Sequence, residues 1–344
     1  MNSSILRIPI FSVVALLTAV LLAEILLRTL APQPQSTLDI YVRHPRLPIY
    51  ALRPNAETAL SNGESRWSVQ TDATGFRIRN GPTNRKEGAR KTILVLGGTN
   101  TFGYDVNYEQ TFAGMLEEAS PDTHVINAAV PMYGPVQYRM VLEDLLSKGF
   151  RPDLILVGFC PGTDFGHALW SKDVMPHEGY LELNLGPRGF IKTASHLYRF
   201  VASTFHRALT GGDPSEWASE RLLFVEEEWR RPPMSLAVDR VREEARRIQN
   251  LAASHSARLI FVMVPTAAMV SSERARKASG LAGRSDLPSM HAEAIFRRLS
   301  IDVIDTTPTI ATLPTGTTHY RFDRHLTPQA HQMVYEELRA EVNP

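Results

Sequence analysis

From Thr92 onward the chain alternates short, unbroken apolar runs with longer amphipathic stretches, and this rhythm restricts the fold more than any other feature. Thr92 to Leu96 reads TILVL, a β-branched run closed by Gly97 and Gly98. A strand with one wet face would alternate polar and apolar residues. A continuous apolar run of this length suits a strand covered on both faces. A helical pattern follows from Glu109 to Ala119 and stops at Pro121. HVINAAV then reads as a strand, VQYRMVLEDLLSKG as a helix ending at Gly149, and PDLILVGF as a strand. Later RVREEARRIQNLAASH, MHAEAIFRRL and QAHQMVYEELRAEV are helices, and ARLIFVMV and IDVID are strands. Thr327 is the N-cap of the last helix, with Pro328 at its first position. Strands alternating with helices in this way predict an α/β fold, a parallel sheet with helices on both faces.

The N-terminus constrains location. Ile8 to Leu27 reads IPIFSVVALLTAVLLAEILL, about the length that crosses a bilayer core as a helix. Its one charge, Glu24, lies near the far end, where a carboxylate reaches the interface at modest cost. The competing identity is a cleaved signal peptide. Against it, the run is long for such a segment, and the small-residue site Thr29-Leu30-Ala31 runs into Pro32. The expectation is an uncleaved single-pass anchor with a short cytoplasmic N-terminus and the remainder on the periplasmic or extracellular side.

The domain organisation expected is residues 1–31 as N-terminus and anchor, 32–90 as linker and extended lead-in with few strands, and 91–344 as the α/β domain. Residues from about 165 to 232 interrupt the rhythm. LYRFVASTFHRAL and WASERLLFVEEEW within them look helical and read as an insertion over the sheet. A formal charge of +1 gives no footprint for nucleic acid. Cys160 is the only cysteine, so neither an intrachain disulfide nor a cysteine metal cage can form. His325 and His331 are separated by a helix start and make no metal pair. No cofactor or metal is expected.

In open parallel sheets ligands gather at the carboxyl ends of the strands. The loops there carry Thr99, Thr163, Asp323 and His325. A hydroxyl nucleophile needs a base of near-neutral pKa, and an imidazole needs a carboxylate to fix its tautomer, so the parts for acyl transfer are present. Each residue also has a plainer use. Thr99 would cap the helix that follows, and Asp164 would brace its own loop.

ILVLGGTNTFGYDVNYEQTFAGML resembles the first block of the SGNH (GDSL-type) hydrolases, which in one membrane-anchored bacterial branch runs ILxLGDSFTFGxGVxxxETF. HVINAAVPMYGPVQY resembles VINAGVPGYGxxQ, RPDLILVGFCPGTDF resembles PDLVVLGFxxNDF, and FDRHLTPQAHQMVYEEL resembles DxHLNPxGHxLxAEAL. VQTDATGFRIRN is similar to the TNSxGxRG segment that precedes the domain. The resemblance implies a flavodoxin-like three-layer sandwich. It also implies a catalytic set of Thr99 at the serine nucleophile position, His325 as base and Asp323 orienting it, with Thr99, Met132 and Thr163 binding the oxyanion. The chain departs from the pattern at four of these places: Gly98 replaces Asp, Thr99 replaces Ser, Met132 replaces Gly, and Thr163 replaces Asn. Threonine's extra methyl stiffens χ1, and Met132 serves only if its loop does not demand positive φ.

Two functions follow. One is an ester hydrolase or O-acyltransferase acting on acylated glycan or lipid esters outside the cytoplasm, with a membrane acyltransferase as partner. The other is a non-catalytic relative that binds a glycan or acyl ligand, or a membrane partner, in an envelope polysaccharide system.

Overall fold

The computed structural model describes residues 3–31, 38–81, 90–119, 122–170, 176–177, 180–181, 195–198, 200–201, 221–278, 280–281, 283–314, 316–321 and 323–342. Most of the 32–37 linker and of the charged 82–89 loop lie outside them, as does most of the expected insertion. The first helix, α1 (Ser3–Leu30), is continuous. Its Ser12–Leu30 portion has a mean hydropathy of 2.2, contains no fully buried residue, and is long and apolar enough to cross a membrane.

The lead-in holds more strand than expected. β1 (Tyr41–Arg43) and β2 (Tyr50–Leu52) form an antiparallel hairpin. β3 (Glu57–Ser61), β4 (Arg66–Thr71) and β5 (Arg77–Ile78) form an antiparallel extension of the main sheet. The physical reason is period-two burial: in β4, Trp67, Val69 and Thr71 face in while Arg66, Ser68 and Gln70 are more exposed.

The five apolar runs become parallel strands as predicted. They are β6 (Lys91–Gly97), β7 (Thr123–Asn127), β8 (Leu154–Phe159), β11 (Arg258–Met263) and β12 (Asp302–Asp305). A two-residue pair, β9 (Pro176–His177) with β10 (Tyr180–Leu181), lies apart from them. The sheet order is β12-β11-β8-β6-β7-β5-β4-β3. Its parallel part has the flavodoxin-like order, and the topological switch falls between β6 and β8.

Alternate side chains of these strands feed two cores. Ile93, Val95, Leu154 and Leu156 pack with α3 (Phe112–Ala119) and the last helix, which runs from Pro328 to Val342. Leu94, Leu96, Ile155 and Val157 face the opposite core. That core includes residues of α4 (Pro135–Ser147) and of the helices Met234–Ser254 and Leu287–Arg298. Thr327 Oγ1 accepts from Ala330 N–H at 3.3 Å, as its N-cap assignment requires.

Two segments differ from expectation. The residues after β8 are not a free loop: α5 (Pro161–Trp170) starts there and takes up the beginning of the expected insertion. Near its end, Arg221–Phe224 and Glu226–Arg230 are short 3-10 helices rather than one α-helix, and Trp229 is buried.

Candidate active site

The loop after β6 is the centre of the site. Gly98 is the extended N-cap residue of α2 (Thr99–Phe102), so Thr99 opens a single helical turn at the carboxyl end of the strand. Packing around it is close. A Cβ at Gly158 would meet the buried side chain of Thr101 at 2.0 Å, so that glycine on the neighbouring strand makes room for the turn. A Cβ at Gly98 would lie 2.8 Å from the carbonyl oxygen of Tyr133 and 3.1 Å from the Tyr138 hydroxyl. Position 98 is therefore closed to the aspartate of the family pattern while the loop after β7 keeps its place.

That loop meets Thr99 directly: the backbone N–H of Met132 donates to Thr99 Oγ1 at 3.0 Å. Met132 adopts φ 64°, in the left-handed region, where the family pattern has glycine. The loop does demand positive φ, against expectation, and Met132 meets the demand at a cost of about 1–2 kcal/mol for a residue with a Cβ, with its N–H still directed at Thr99 Oγ1. The β1–β2 hairpin holds the conformation in place. Tyr50 donates its hydroxyl proton to Pro131 O at 2.9 Å, and the Tyr133 hydroxyl donates to Tyr50 O.

Thr163 lies in the first turn of α5, and its hydroxyl is turned to Asp164 Oδ1 at 3.4 Å. Asp164 braces this turn as expected, accepting from Cys160 N–H and from the Tyr138 hydroxyl at 3.0 Å each. It is buried, and burial pushes its carboxyl up to about 7.

His325 arrives from the other end of the chain. The segment before it doubles back, with Tyr320 N–H donating to His325 O at 2.9 Å, Thr327 N–H to Thr318 O at 3.1 Å, and Arg324 at φ 57°. Asn100 ties this loop to the centre. Its Oδ1 accepts from Leu326 N–H at 3.2 Å, and its Nδ2 lies 4.0 Å from Cys160 Sγ. Thr99 and His325 are thus carried by bonded neighbours. Among the described residues, however, the hydroxyl of Thr99 makes its hydrogen bond to Met132 and not to the imidazole.

The carboxylate on His325 is not Asp323. His325 Nδ1 is bonded to Asp105 Oδ2 at 2.7 Å. The reversal of the chain around Arg324 breaks the side-by-side placement that an extended Asp-x-His would give, and Asp323 stays partly exposed. Asp105 is buried and has φ 70°. It stands where the pattern TFGxGV has its second glycine, and Asp tolerates the left-handed region better than most residues. That is the signal by which the sequence could have shown it: a carboxylate at a glycine position, two residues beyond Gly103. Burial raises its carboxyl to about 6 against the lowering effect of His325. The ring of Tyr104 packs on the imidazole with centroids 5.0 Å apart, and its hydroxyl accepts from Leu38 N–H at 3.1 Å.

Arg77, also unforeseen, holds this loop from beneath. Its guanidinium donates to the carbonyls of Phe102 (2.7 Å), Gly103 (2.5 Å) and Val106 (2.6 Å). Burial lowers its pKa to about 10. His331 is buried, and its Nδ1 accepts from Phe112 N–H at 3.4 Å. Among the described residues no cluster could hold a metal ion.

Residues 218–344, which include His325, match the family model described as the SGNH hydrolase-like domain of the acetyltransferase AlgX. The C-terminal part of the chain is thus similar to an SGNH hydrolase-like domain. The expected resemblance and the α/β sandwich are borne out together. Solved structures similar to it include TesA (12% identity over 74% of this chain and 99% of that one, TM-score 0.42). An acetyl xylan esterase, AlAXEase, shows 12% identity over 73% and 99% (TM-score 0.43). A lipase/acylhydrolase from Enterococcus faecalis shows 14% over 73% and 95% (TM-score 0.40). No curated protein matches the chain in sequence. The strand-end loops bring Thr99, Met132, Asn100, Asp105 and His325 together, through Met132 N–H on Thr99, Asn100 on the His325 loop and Asp105 on His325.

Proposed function

We propose that this SGNH-like chain is a membrane-anchored ester hydrolase or O-acyltransferase, acting on acylated glycan or lipid esters on the outer side of the membrane. The observation that carries the proposal is the buried Asp105 carboxylate held at 2.7 Å from His325 Nδ1, next to the loop of Thr99. A carboxylate on Nδ1 leaves Nε2 as the basic nitrogen and stabilises the imidazolium once it forms.

Thr99 Oγ1 attacks the ester carbonyl carbon while His325 takes its proton. Because Oγ1 accepts from Met132 N–H, its own hydrogen is available for that transfer. The tetrahedral intermediate collapses by breaking the carbon–oxygen bond to the alcohol, which leaves with the proton from His325. Water or an acceptor hydroxyl then attacks acyl-Thr99, His325 takes the new proton, and Thr99 recovers its hydrogen. Met132 N–H must leave the threonine oxygen to serve the oxyanion, together with Thr99 N–H at the start of α2. The acetyltransferase in the matching family's description supports a short acyl group. The apolar α1 supports the anchor, which would keep the site close to a membrane acyltransferase as donor or partner.

A second reading has its own support. Met132 N–H is spent on Thr99 and the Thr163 hydroxyl on Asp164, so two of the expected oxyanion donors are engaged with protein groups. On that reading the domain binds an acylated glycan without turning it over.

The experiment is release of acid from a short-chain aryl acetate by the full chain and by its His325→Ala, Thr99→Ala and Thr99→Ser forms. The enzyme reading expects the first two variants to be inactive, and Thr99→Ser to equal or exceed the parent. Equal rates for the parent and His325→Ala would remove the enzyme and leave the binding role.

A further inference from the structure

The carboxylate of Glu24, in the apolar helix α1, is surrounded by donors. It accepts from Ser195 Oγ (2.8 Å), His196 N–H (3.0 Å) and Leu197 N–H (2.8 Å), and it pairs with Arg28 at 2.9 Å. Three of these four donors come from one short segment some 170 residues away in sequence. Glu24 precedes the end of α1 at Leu30 by six residues, which at 1.5 Å per residue is about 9 Å along the axis. The segment that satisfies it therefore lies alongside the outer end of the helix, not above it.

Three apolar side chains follow at once. Tyr198, Phe200 and Val201 are 41, 43 and 41% exposed. Among the described residues most large exposed apolar side chains belong to α1 itself, and this segment is the next concentration of them. The two are joined at Glu24. A tyrosine beside aliphatic and phenyl groups is the composition that settles at the headgroup level, with the apolar body toward the acyl chains and the hydroxyl toward water.

We infer that residues 195–198, 200 and 201 form a foot lying in the outer headgroup layer, latched to the anchor through Glu24, with Tyr198, Phe200 and Val201 against lipid. This rests on the reading of α1 as a membrane span. A single helix leaves a domain free to swivel and to change height above the bilayer. A second attachment fixed to the first removes that freedom and holds the strand-end site at one distance from the lipid.

The test uses the full chain in nanodiscs of phosphatidylcholine with a minority of phosphatidylglycerol. Nitroxide labels are placed one at a time by Leu17→Cys, Tyr198→Cys, Val201→Cys and Asp302→Cys. The buried Cys160 makes the unsubstituted chain the labelling control. Accessibility to oxygen is compared with accessibility to a water-soluble nickel chelate. The label at 17 should be oxygen-dominated and deep, those at 198 and 201 oxygen-favoured at headgroup depth, and that at 302 aqueous. Glu24→Ala should move the 198 label toward the aqueous value and raise its mobility. Aqueous values at 198 and 201 with a deep label at 17 would overturn the foot and leave the anchor. An aqueous label at 17 would overturn both, and an unmoved 198 label in Glu24→Ala would overturn the latch. Tyr198→Trp with brominated lipid as quencher repeats the comparison without a new thiol: quenching above that of the parent supports the foot, and none overturns it.

Discussion

Asp105→Asn should separate catalysis from stability in a way that no substitution at Asp323 can. Asp105 is 1% exposed, has one oxygen on His325, and leaves Oδ1 without a partner among the described residues. Burial therefore holds its carboxyl at about 6, against an ordinary value of 3.8. The sign follows from proton uptake. Between about pH 4 and about pH 6 the folded chain keeps a proton that the unfolded chain has lost, so stability falls as pH rises through that window. A shift of roughly two pKa units corresponds to about 3 kcal/mol of ionisation cost near neutral pH. Asparagine carries no charge, so Asp105→Asn should be more stable than the parent near neutral pH by up to about that amount. The gain should shrink toward nothing near pH 4. The same variant should lose activity by about 10⁴-fold, because a neutral amide cannot stabilise the imidazolium. Urea unfolding of the full chain in detergent, followed by tryptophan fluorescence at several pH values, reads the first effect, and aryl acetate hydrolysis reads the second. Asp323→Asn should change neither by much. If Asp105→Asn were less stable near neutral pH and as active as the parent, while Asp323→Asn were inactive, the assignment of the orienting carboxylate would be refuted. The stability half of the test stands even for a chain that does not turn over.

Three further outcomes are expected. Gly98→Asp places a Cβ 2.8 Å from Tyr133 O, so it should lower stability by about 1–3 kcal/mol in thermal or urea unfolding. Adding Thr99→Ser, which restores the family's Asp-Ser pair, should not recover the loss. Arg77→Met leaves the carbonyls of Phe102, Gly103 and Val106 without their donor. It should cost at least about 3 kcal/mol, with a further drop in any activity as the loop of Asp105 loosens. Asp164→Asn should abolish a fall in stability that the parent shows between about pH 4 and about pH 7, since burial holds that carboxyl at about 7 in the folded chain; urea midpoints at the two ends of the window give the comparison.

The parallel sheet was legible because burial on both faces leaves an unmixed apolar run, as in TILVL and LILVGF. The antiparallel extension was not, although β3 and β4 alternate as half-buried strands should. Two of their inward positions are Thr58 and Thr71, and the pattern reads as polar unless those threonines are counted as buried. In the site, Thr99 and His325 could be assigned to strand-end loops because whole motif blocks surround them, although no hydrogen bond joins their side chains among the described residues. The orienting carboxylate could not be placed by proximity in sequence. Asp323 is two residues from His325, whereas Asp105 is 220 away and reaches it only through the fold. What misled was treating Asp-x-His as extended backbone, when Arg324 turns it.

The departures from the family pattern are coupled, and that bears on whether they amount to decay. Gly98 admits the Tyr133 carbonyl, and the Tyr138 hydroxyl lies 3.1 Å from that carbonyl and 3.0 Å from Asp164 Oδ2. Thr99 in turn receives Met132 N–H, and the methionine loop is pinned by Tyr50. A site eroded piece by piece would leave holes and unpaired groups at each change, whereas here most of the exchanged positions are met by a neighbour that fits them. Asp105 is the exception, and the informative one. It brings a carboxylate into the interior at a position where the pattern has glycine, leaves one oxygen unpartnered, and makes the fold less stable near neutral pH. An asparagine would serve packing better. A charge retained at such a cost, 2.7 Å from the imidazole, has its physical rationale in what it does to that imidazole.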